Sequence, residues 1–144
     1  MNKIISGMLA GLVATVVLSA LMLAKAMMGL MPDVDVIAML ANQMGSGAAL
    51  GWMAHFMIGI IGYGVAYALV FSNLPLGGHA IRGLLLGIVG WLGMMVMLMP
   101  MMGAGLFGTL MPSGMMVPVA TLMLHAVFGV VLGLTFNTRL SGMM

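Results

Sequence analysis

The chain has 144 residues, of which 64% are hydrophobic and only 4% are charged. A soluble domain is about 25% charged, so this composition excludes a water-soluble fold and indicates an integral membrane protein. Cysteine is absent, which excludes disulfides, thiolate metal sites and a cysteine nucleophile. The net charge of +2 comes from very few residues, and no basic run suggests nucleic acid as a partner. The expected partner is the lipid bilayer.

Four apolar segments are each long enough to cross a bilayer, which takes about 20 helical residues. In chain order they are predicted at residues 4–31, 50–71, 80–102 and 116–136. The first follows Lys3 and resembles a signal peptide, but its apolar run is longer than the roughly 7–15 residues of such a leader. We therefore expect this segment to be retained as a helix.

The connections between these segments differ in character. Residues 32–47 predict a short interfacial helix with Asp33 or Asp35 as its N-cap. The apolar side of this helix would be formed by Ile37, Leu40 and Met44. Residues 72–78 are rich in breaker residues and predict a short turn. Residues 103–114 predict a glycine-rich loop at the membrane interface.

The basic residues fall mainly on one side of the predicted bundle. Lys3, Arg82 and Arg139 lie near the amino terminus, the 72–78 turn and the carboxyl terminus, whereas both acidic residues fall on the other side. Because positive residues mark the cytoplasmic side, both termini are predicted to be cytoplasmic. Lys25 is the exception, and we expect its side chain to extend toward Asp33.

One pattern occurs in both halves of the chain. The motif I-x-G-x-L-x-G occupies residues 5–11 and 81–87, and H-x-x-x-G follows at residues 55–59 and 125–129. This common order predicts two tandem, like-oriented helical hairpins in one membrane domain, at about residues 4–72 and 80–140. The predicted fold class is an all-α integral membrane protein with a four-transmembrane-helix bundle, in which His55 and His125 occupy equivalent places.

Each predicted helix carries a stripe of mostly small residues at every third or fourth position. The stripes are Gly7, Gly11, Thr15 and Ser19; Gly51, His55, Gly59 and Gly62; Gly83, Gly87, Gly90 and Gly93; and Thr121, His125, Gly129 and Gly133. Residues at this spacing share a helix face, and small faces let membrane helices approach closely. Both histidines are therefore predicted to point into the bundle.

The first functional hypothesis is ligation by these histidines. Two facing neutral imidazoles can hold a transition metal or the iron of haem, and Gly59 and Gly129 would leave flat space beside the rings. In this respect the arrangement resembles membrane-bound b-type cytochromes, which have histidines on facing helices with glycines nearby. The resemblance implies haem b as a cofactor, with Lys25 as the one basic group well placed for its propionates.

The second hypothesis uses methionine, of which the chain has 22 residues, six of them within residues 94–102. Thioethers are soft ligands that favour Cu(I). Met95 and Met99, and likewise Met97 and Met101, each form an M-x-x-x-M pair that resembles the motif of the eukaryotic copper-importer family. The resemblance implies Cu(I) transport or storage, although those proteins have three spans and metal-binding outer domains that this chain lacks.

The third hypothesis is structural. Each histidine would donate to a helix carbonyl or to Thr15 or Thr121, and the chain would be an accessory or assembly subunit that packs against a larger membrane complex or forms a homo-oligomer. No enzymatic activity is predicted, because Asp33 and Asp35 are the only carboxylates and no Ser/His/Asp set can be assembled. Transport of a non-metal solute stays open as a further alternative.

The chain as a whole resembles the small four-helix bacterial inner-membrane proteins of unknown function. This resemblance depends on its size, its glycine-rich helix openings and the H-x-x-x-G motif. It implies a fold and a location in the bacterial inner membrane, and it implies no chemistry. The preferred hypothesis is a non-enzymatic membrane protein whose His55 and His125 form a centre for haem or a transition metal.

Overall fold

The computed structural model describes residues 2 to 143, with side chains up to residue 137. Five helices follow one another in this part of the chain: α1 (Lys3–Met27), α2 (Val36–Gln43), α3 (Ala48–Asn73), α4 (His79–Met101) and α5 (Met116–Met143). Four segments are long and apolar enough to cross a membrane, namely α1, α3, α4 and residues Met116–Asn137 of α5. No strand occurs within residues 2–143. For the described residues, the prediction of an all-helical chain with four segments long and apolar enough to span a membrane is confirmed.

The connection between α1 and α3 contains the predicted short helix, α2. Helix α1 ends at Met27, four residues before its predicted end, because Gly29 adopts a left-handed conformation with a φ of 69°. Asp35 is the N-cap of α2, and its carboxylate accepts a hydrogen bond from the Ala38 N–H at 3.1 Å. The predicted apolar side is buried at Ile37 and Leu40, whereas Met44 follows the end of the helix and is exposed.

The bundle is held together by close contacts between glycines of neighbouring helices. Helix α1 packs against α3 and α5, and α4 packs against α5. The interhelical contacts include Gly7 with Gly64, Gly11 with Gly59, Gly83 with Gly129, and Gly87 with the backbone of His125. A Cβ atom on Gly7, Gly11, Gly83 or Gly87 would overlap a carbonyl oxygen of the facing helix. Side chains larger than hydrogen would therefore separate these helices.

A π-helical turn in α3 changes which of its small residues face the bundle. The turn spans Ile58–Tyr63, and it inserts one extra residue relative to an α-helix. Gly59 within the turn and Gly64 directly after it are consequently buried, whereas Gly62 is exposed. The predicted position of Gly62 on the inward stripe is therefore wrong, because that stripe assumed an unbroken α-helical period.

The π-helical turn also affects how the two histidines relate to each other. Gly7 and Gly11 of α1 contact Gly64 and Gly59 of α3, just as Gly83 and Gly87 of α4 contact Gly129 and His125 of α5. When the two helix pairs are aligned by these contacts, Gly59 corresponds to His125. His55 then corresponds to Thr121, one helical turn away. The expected equivalence of His55 and His125 does not match this register. Within its own helix pair, His125 lies about one helical turn, or roughly 6 Å, further from the α2 end of the bundle than His55 does within the α1–α3 pair.

The end of the bundle opposite α2 carries basic side chains, as predicted. Arg82 donates hydrogen bonds to the carbonyl oxygens of Ser72 at 2.7 Å and Leu76 at 3.0 Å. Lys3 donates to the side-chain oxygen of Asn73. These contacts fasten the 72–78 turn to α1 and α4. The side chain of Arg139 lies outside the described residues.

His79 at this end of the bundle is partly buried and packs against aromatic side chains of α3 and α5. Its Nδ1 atom lies 2.8 Å from the Tyr67 hydroxyl, which donates to the His79 carbonyl oxygen at 3.1 Å. The imidazole centroid is 5.5 Å from the ring centroid of Phe136. The ring therefore belongs to an aromatic contact between α3, α4 and α5.

The α2 end is fastened by a hydrogen-bonded carboxylate. Asp33 accepts from the Ser113 hydroxyl at 2.5 Å and from the Ser113 backbone N–H at 3.0 Å. These hydrogen bonds hold the pKa of Asp33 below its ordinary value of 3.8. The predicted pairing of Lys25 with Asp33 is not formed: the Lys25 ammonium donates to the carbonyl oxygens of Leu30, Met31 and Val34, at 3.1, 3.0 and 2.9 Å. The ammonium thus has three backbone partners, and the carboxylate is bound by Ser113.

Because the Asp33 pKa is lowered in the folded protein, its contribution to stability is present above pH 3.8 and is lost as the pH falls through the folded-state pKa. We expect Asp33→Asn to lower the thermal unfolding temperature in detergent at neutral pH. The difference from wild type should shrink as the pH falls below 3.8. A difference that stays constant over this pH range would contradict the assignment of the charge to this contact.

Candidate functional site

A cavity of about 540 Å³ lies inside the bundle near its α2 end. Its walls are mainly apolar and come from all four spanning helices, with α2 at one side. They include Leu18 and Met22 of α1, Ile37 and Leu40 of α2, Leu98 of α4, and Leu124 and Phe128 of α5. The volume falls in the range of about 300–1,000 Å³ that is typical of small-molecule and cofactor sites.

His55 and His125 line this same cavity. His55 comes from α3 and is 8% exposed, whereas His125 comes from α5 and is partly buried. Helix α1 packs against both of these helices, so the two imidazoles approach the cavity from different sides of the bundle. The sequence could not establish whether the two rings share one space, and in the structure they do.

The imidazole of His55 is oriented by α1. The Ser19 hydroxyl donates its one hydrogen to the Thr15 carbonyl oxygen at 2.7 Å, so its oxygen is left to accept from the Nε2–H of His55 at 3.2 Å. This assigns the proton of the neutral ring to Nε2 and leaves Nδ1 as an acceptor. The rings of Trp52 and Phe56 contact the imidazole edge-on, each with a centroid separation of 5.8 Å.

The imidazole of His125 is oriented by its own helix. Its Nδ1–H donates to the carbonyl oxygen of Thr121 at 2.8 Å, which leaves Nε2 as the acceptor nitrogen. The Thr121 hydroxyl donates to the Val117 carbonyl oxygen at 2.6 Å and accepts from the Trp91 indole N–H at 3.1 Å. A backbone carbonyl that receives one ring N–H is the usual partner of a histidine whose other nitrogen binds a metal.

The two glycines predicted at this site have different places. Gly59 lines the cavity, and a Cβ atom at this position would overlap the Thr15 side chain. Gly129 is not among the cavity residues, because it packs directly against Gly83 of α4. The space beside His125 is therefore not provided by Gly129, whose lack of a side chain serves the α4–α5 contact.

The four methionines singled out in α4 are not brought together. Met95 and Met99 are fully buried at the α2 end, whereas Met97 and Met101 are 66% and 65% exposed on the outside of the bundle. Residues two positions apart on a helix point in nearly opposite directions. The two M-x-x-x-M pairs consequently lie on different faces of α4.

Several residues of the cavity were not predicted from the sequence. Tyr63 lines the cavity from α3, and its hydroxyl lies where a side chain on Gly90 of α4 would be. Trp52 and Asp35 also contribute to the walls. The sequence places Gly90 on a small stripe, but nothing in it indicates that an aromatic ring from α3 would fill the resulting gap.

The chemistry available in the cavity is narrow. Within residues 2–137, no group of three or more His, Asp or Glu side chains could hold a metal ion. The cavity instead offers two neutral imidazoles with one acceptor nitrogen each, surrounded mostly by apolar side chains. Lys25 also lines it, at the α2 end.

Comparison with known proteins gives a match over residues 1–142, to the family described as "Family of unknown function (DUF6789)". No curated protein and no solved structure matches the chain. The matched region includes all four spans and both cavity histidines, in agreement with the resemblance to small membrane proteins of unknown function. The chain belongs to the family described as "Family of unknown function (DUF6789)".

Proposed function

We propose that this protein is a non-enzymatic, haem-binding membrane protein in which His55 and His125 are the axial ligands of the iron. The observation that carries the proposal is their common cavity of about 540 Å³. Each imidazole has one nitrogen engaged by a helix group and the other available as an acceptor. Sites of this kind are built in the cores of helical bundles from side chains on facing helices.

The ligand count favours haem over a bare metal ion. A zinc ion in a protein site has about four ligands, and among the described residues the two imidazoles are not grouped with a third His, Asp or Glu side chain in a way that could hold a metal ion. A porphyrin supplies its own four nitrogen ligands, so the protein needs to provide only the axial ones. The apolar walls would contact the macrocycle.

The direction of the haem follows from the charges around the cavity. Lys25 lines the cavity at the α2 end, and its ammonium is already held by three backbone carbonyl oxygens. A propionate group near this ammonium would gain a charged partner in a place accessible from the membrane surface. The haem edge that carries the propionates would therefore lie toward α2.

The proposal also includes an orientation of the protein in the membrane and an internal duplication of its helix pairs. Lys3 and Arg82 lie at the end of the bundle that holds the 72–78 turn, whereas Asp33 and Asp35 lie at the other end. Under the positive-inside rule, this supports a bacterial inner-membrane protein with both termini in the cytoplasm and the haem in the outer half. The similar glycine contacts of the two helix pairs support two tandem hairpins of common origin.

The direct test is a titration of the detergent-purified protein with haemin. We expect a sharp Soret band and, after reduction, the narrow α-band of a six-coordinate low-spin haem, saturating at about one haem per chain. Empty detergent micelles at the same concentration are the control for non-specific uptake. A folded protein that gives only the spectrum of haemin in micelles would contradict the proposal and would favour an accessory subunit of a larger complex.

A further inference from the structure

A group of methionine side chains, which are soft metal ligands, lies at the α2 end of the bundle. Here seven methionines pack into one apolar cluster with Trp91 and Phe107. We call it the methionine cluster, and its members are Met31, Met39, Met94, Met95, Met99, Met102 and Met111. They come from α2, from α4 and from the two loops at this end of the bundle. Four of them lie within residues 94–102, and the fold brings Met31, Met39 and Met111 to these four.

Two observations locate sulfur atoms within the cluster. The Sδ atom of Met95 lies 3.8 Å from the Thr121 hydroxyl oxygen. The Sδ atom of Met99 lies 3.5 Å from the place that a Cβ atom on Gly108 would occupy, and therefore points toward the 103–114 loop. That loop supplies Met111 and Phe107 to the cluster.

The backbone at the cluster is strained at two points. Among the described residues, Met31 and Phe107 are the non-glycine residues with positive φ, at 47° and 59°. Met31 is a member of the methionine cluster, and Phe107 packs against it. A left-handed conformation is energetically unfavourable at a non-glycine residue, and such residues are often found at functional sites.

The chemistry of the cluster is selective. The named side chains of the cluster are thioethers and aromatic rings, which are not the oxygen ligands that hard cations such as Mg²⁺ and Ca²⁺ require. Thioether sulfur is a soft donor that suits Cu(I), and a Trp ring can contribute a cation–π contact to a bound cation. We propose that the methionine cluster is a binding site for a soft monovalent metal ion, Cu(I), with Met95 and Met99 as its buried ligands.

The proposed copper site differs from the pattern that the sequence suggested. Only the Met95–Met99 pair of α4 takes part, and the other ligands come from outside α4. The exposed residues Met97 and Met101 are excluded by their position. They provide a matched control, since they have the same spacing on the same helix.

The test is a titration of the purified protein with Ag(I), a redox-inert analogue of Cu(I), in chloride-free buffer. We expect wild type to bind Ag(I), and Met95→Leu/Met99→Leu to bind it at least about tenfold more weakly. Met97→Leu/Met101→Leu should bind as wild type does. Exchange of Met for Leu conserves volume and is among the best-tolerated substitutions in a packed interior, and the thermal unfolding of each variant checks that it is folded.

A second variant keeps the test informative if the buried pair is needed for folding. Met31→Leu/Met111→Leu changes two partly buried loop residues of the cluster and should also weaken Ag(I) binding. In a His55→Ala/His125→Ala background, which removes imidazoles that can also bind Ag(I), the Met95→Leu/Met99→Leu exchange should weaken Ag(I) binding as it does in wild type, so this site can succeed or fail independently of the haem proposal. Absence of binding to wild type, or equal weakening in the Met97/Met101 control, would overturn the proposal.

Discussion

Replacing Gly83 by alanine is expected to lower the free energy of unfolding by about 2 kcal/mol, in the range found when extra methyl groups are forced into packed interiors. A Cβ atom at this position would overlap the carbonyl oxygen of Gly129 on α5. Backbone atoms cannot rotate away as a flexible side chain does, so α4 and α5 would have to move apart. This loss exceeds the gain of up to about 1 kcal/mol that alanine brings to a helix interior.

Gly93→Ala is the matched control, because it makes the same change ten residues further along α4. No atom lies within 4 Å of a Cβ placed there, so we expect its stability to equal or slightly exceed that of wild type. Denaturant unfolding of the two variants in the same detergent, followed by circular dichroism, gives the comparison. If both variants shift by the same amount, the close contact between α4 and α5 is not what stabilises the bundle.

The spanning helices could be predicted from the sequence because length and hydropathy are sufficient to identify them. Asp35 could be recognised as a candidate N-cap from its position before an apolar stretch. The early end of α1 depends on the left-handed conformation of Gly29, which the apolar composition around it does not reveal. Hydropathy locates a span but not the residue at which its hydrogen-bonding pattern ends.

The direction of the small faces was predictable only where a helix keeps its period. In α1 the stripe from Gly7 to Ser19 is buried as expected. In α3 the π-helical turn shifts the inward face from Gly62 to Gly64. Such a turn depends on packing against other helices, and the local sequence I-G-I-I-G-Y contains no residue that requires it. The same shift removed the expected equivalence of the two histidines.

The histidines themselves could be identified as polar groups on inward faces, and this much needed no coordinates. Their hydrogen-bond partners were less accessible to prediction. Ser19 reaches His55 from a different helix, and such a contact depends on the depth at which α1 and α3 cross. The grouping of the methionines could not be predicted from the sequence either. Most members of the cluster outside α4 come from loops, and a loop has no helical period from which its contacts could be inferred.

The central claim is that His55 and His125 together hold one haem, and replacing each in turn tests it most directly. Haemin titrations of His55→Ala and His125→Ala are expected to lose the six-coordinate low-spin spectrum, because each variant lacks one axial ligand. Free imidazole should restore that spectrum by entering the space vacated. His79→Gln is the control, since His79 lies at the opposite end of the bundle and does not line the cavity.

The predicted result is a wild-type spectrum for His79→Gln and a five-coordinate or unbound spectrum for each cavity variant. Recovery with imidazole would show that the loss comes from the missing ligand and not from an unfolded chain. If His55→Ala and His125→Ala both bind haemin with the spectrum of wild type, the two imidazoles are not the axial ligands, and the proposed haem centre is contradicted.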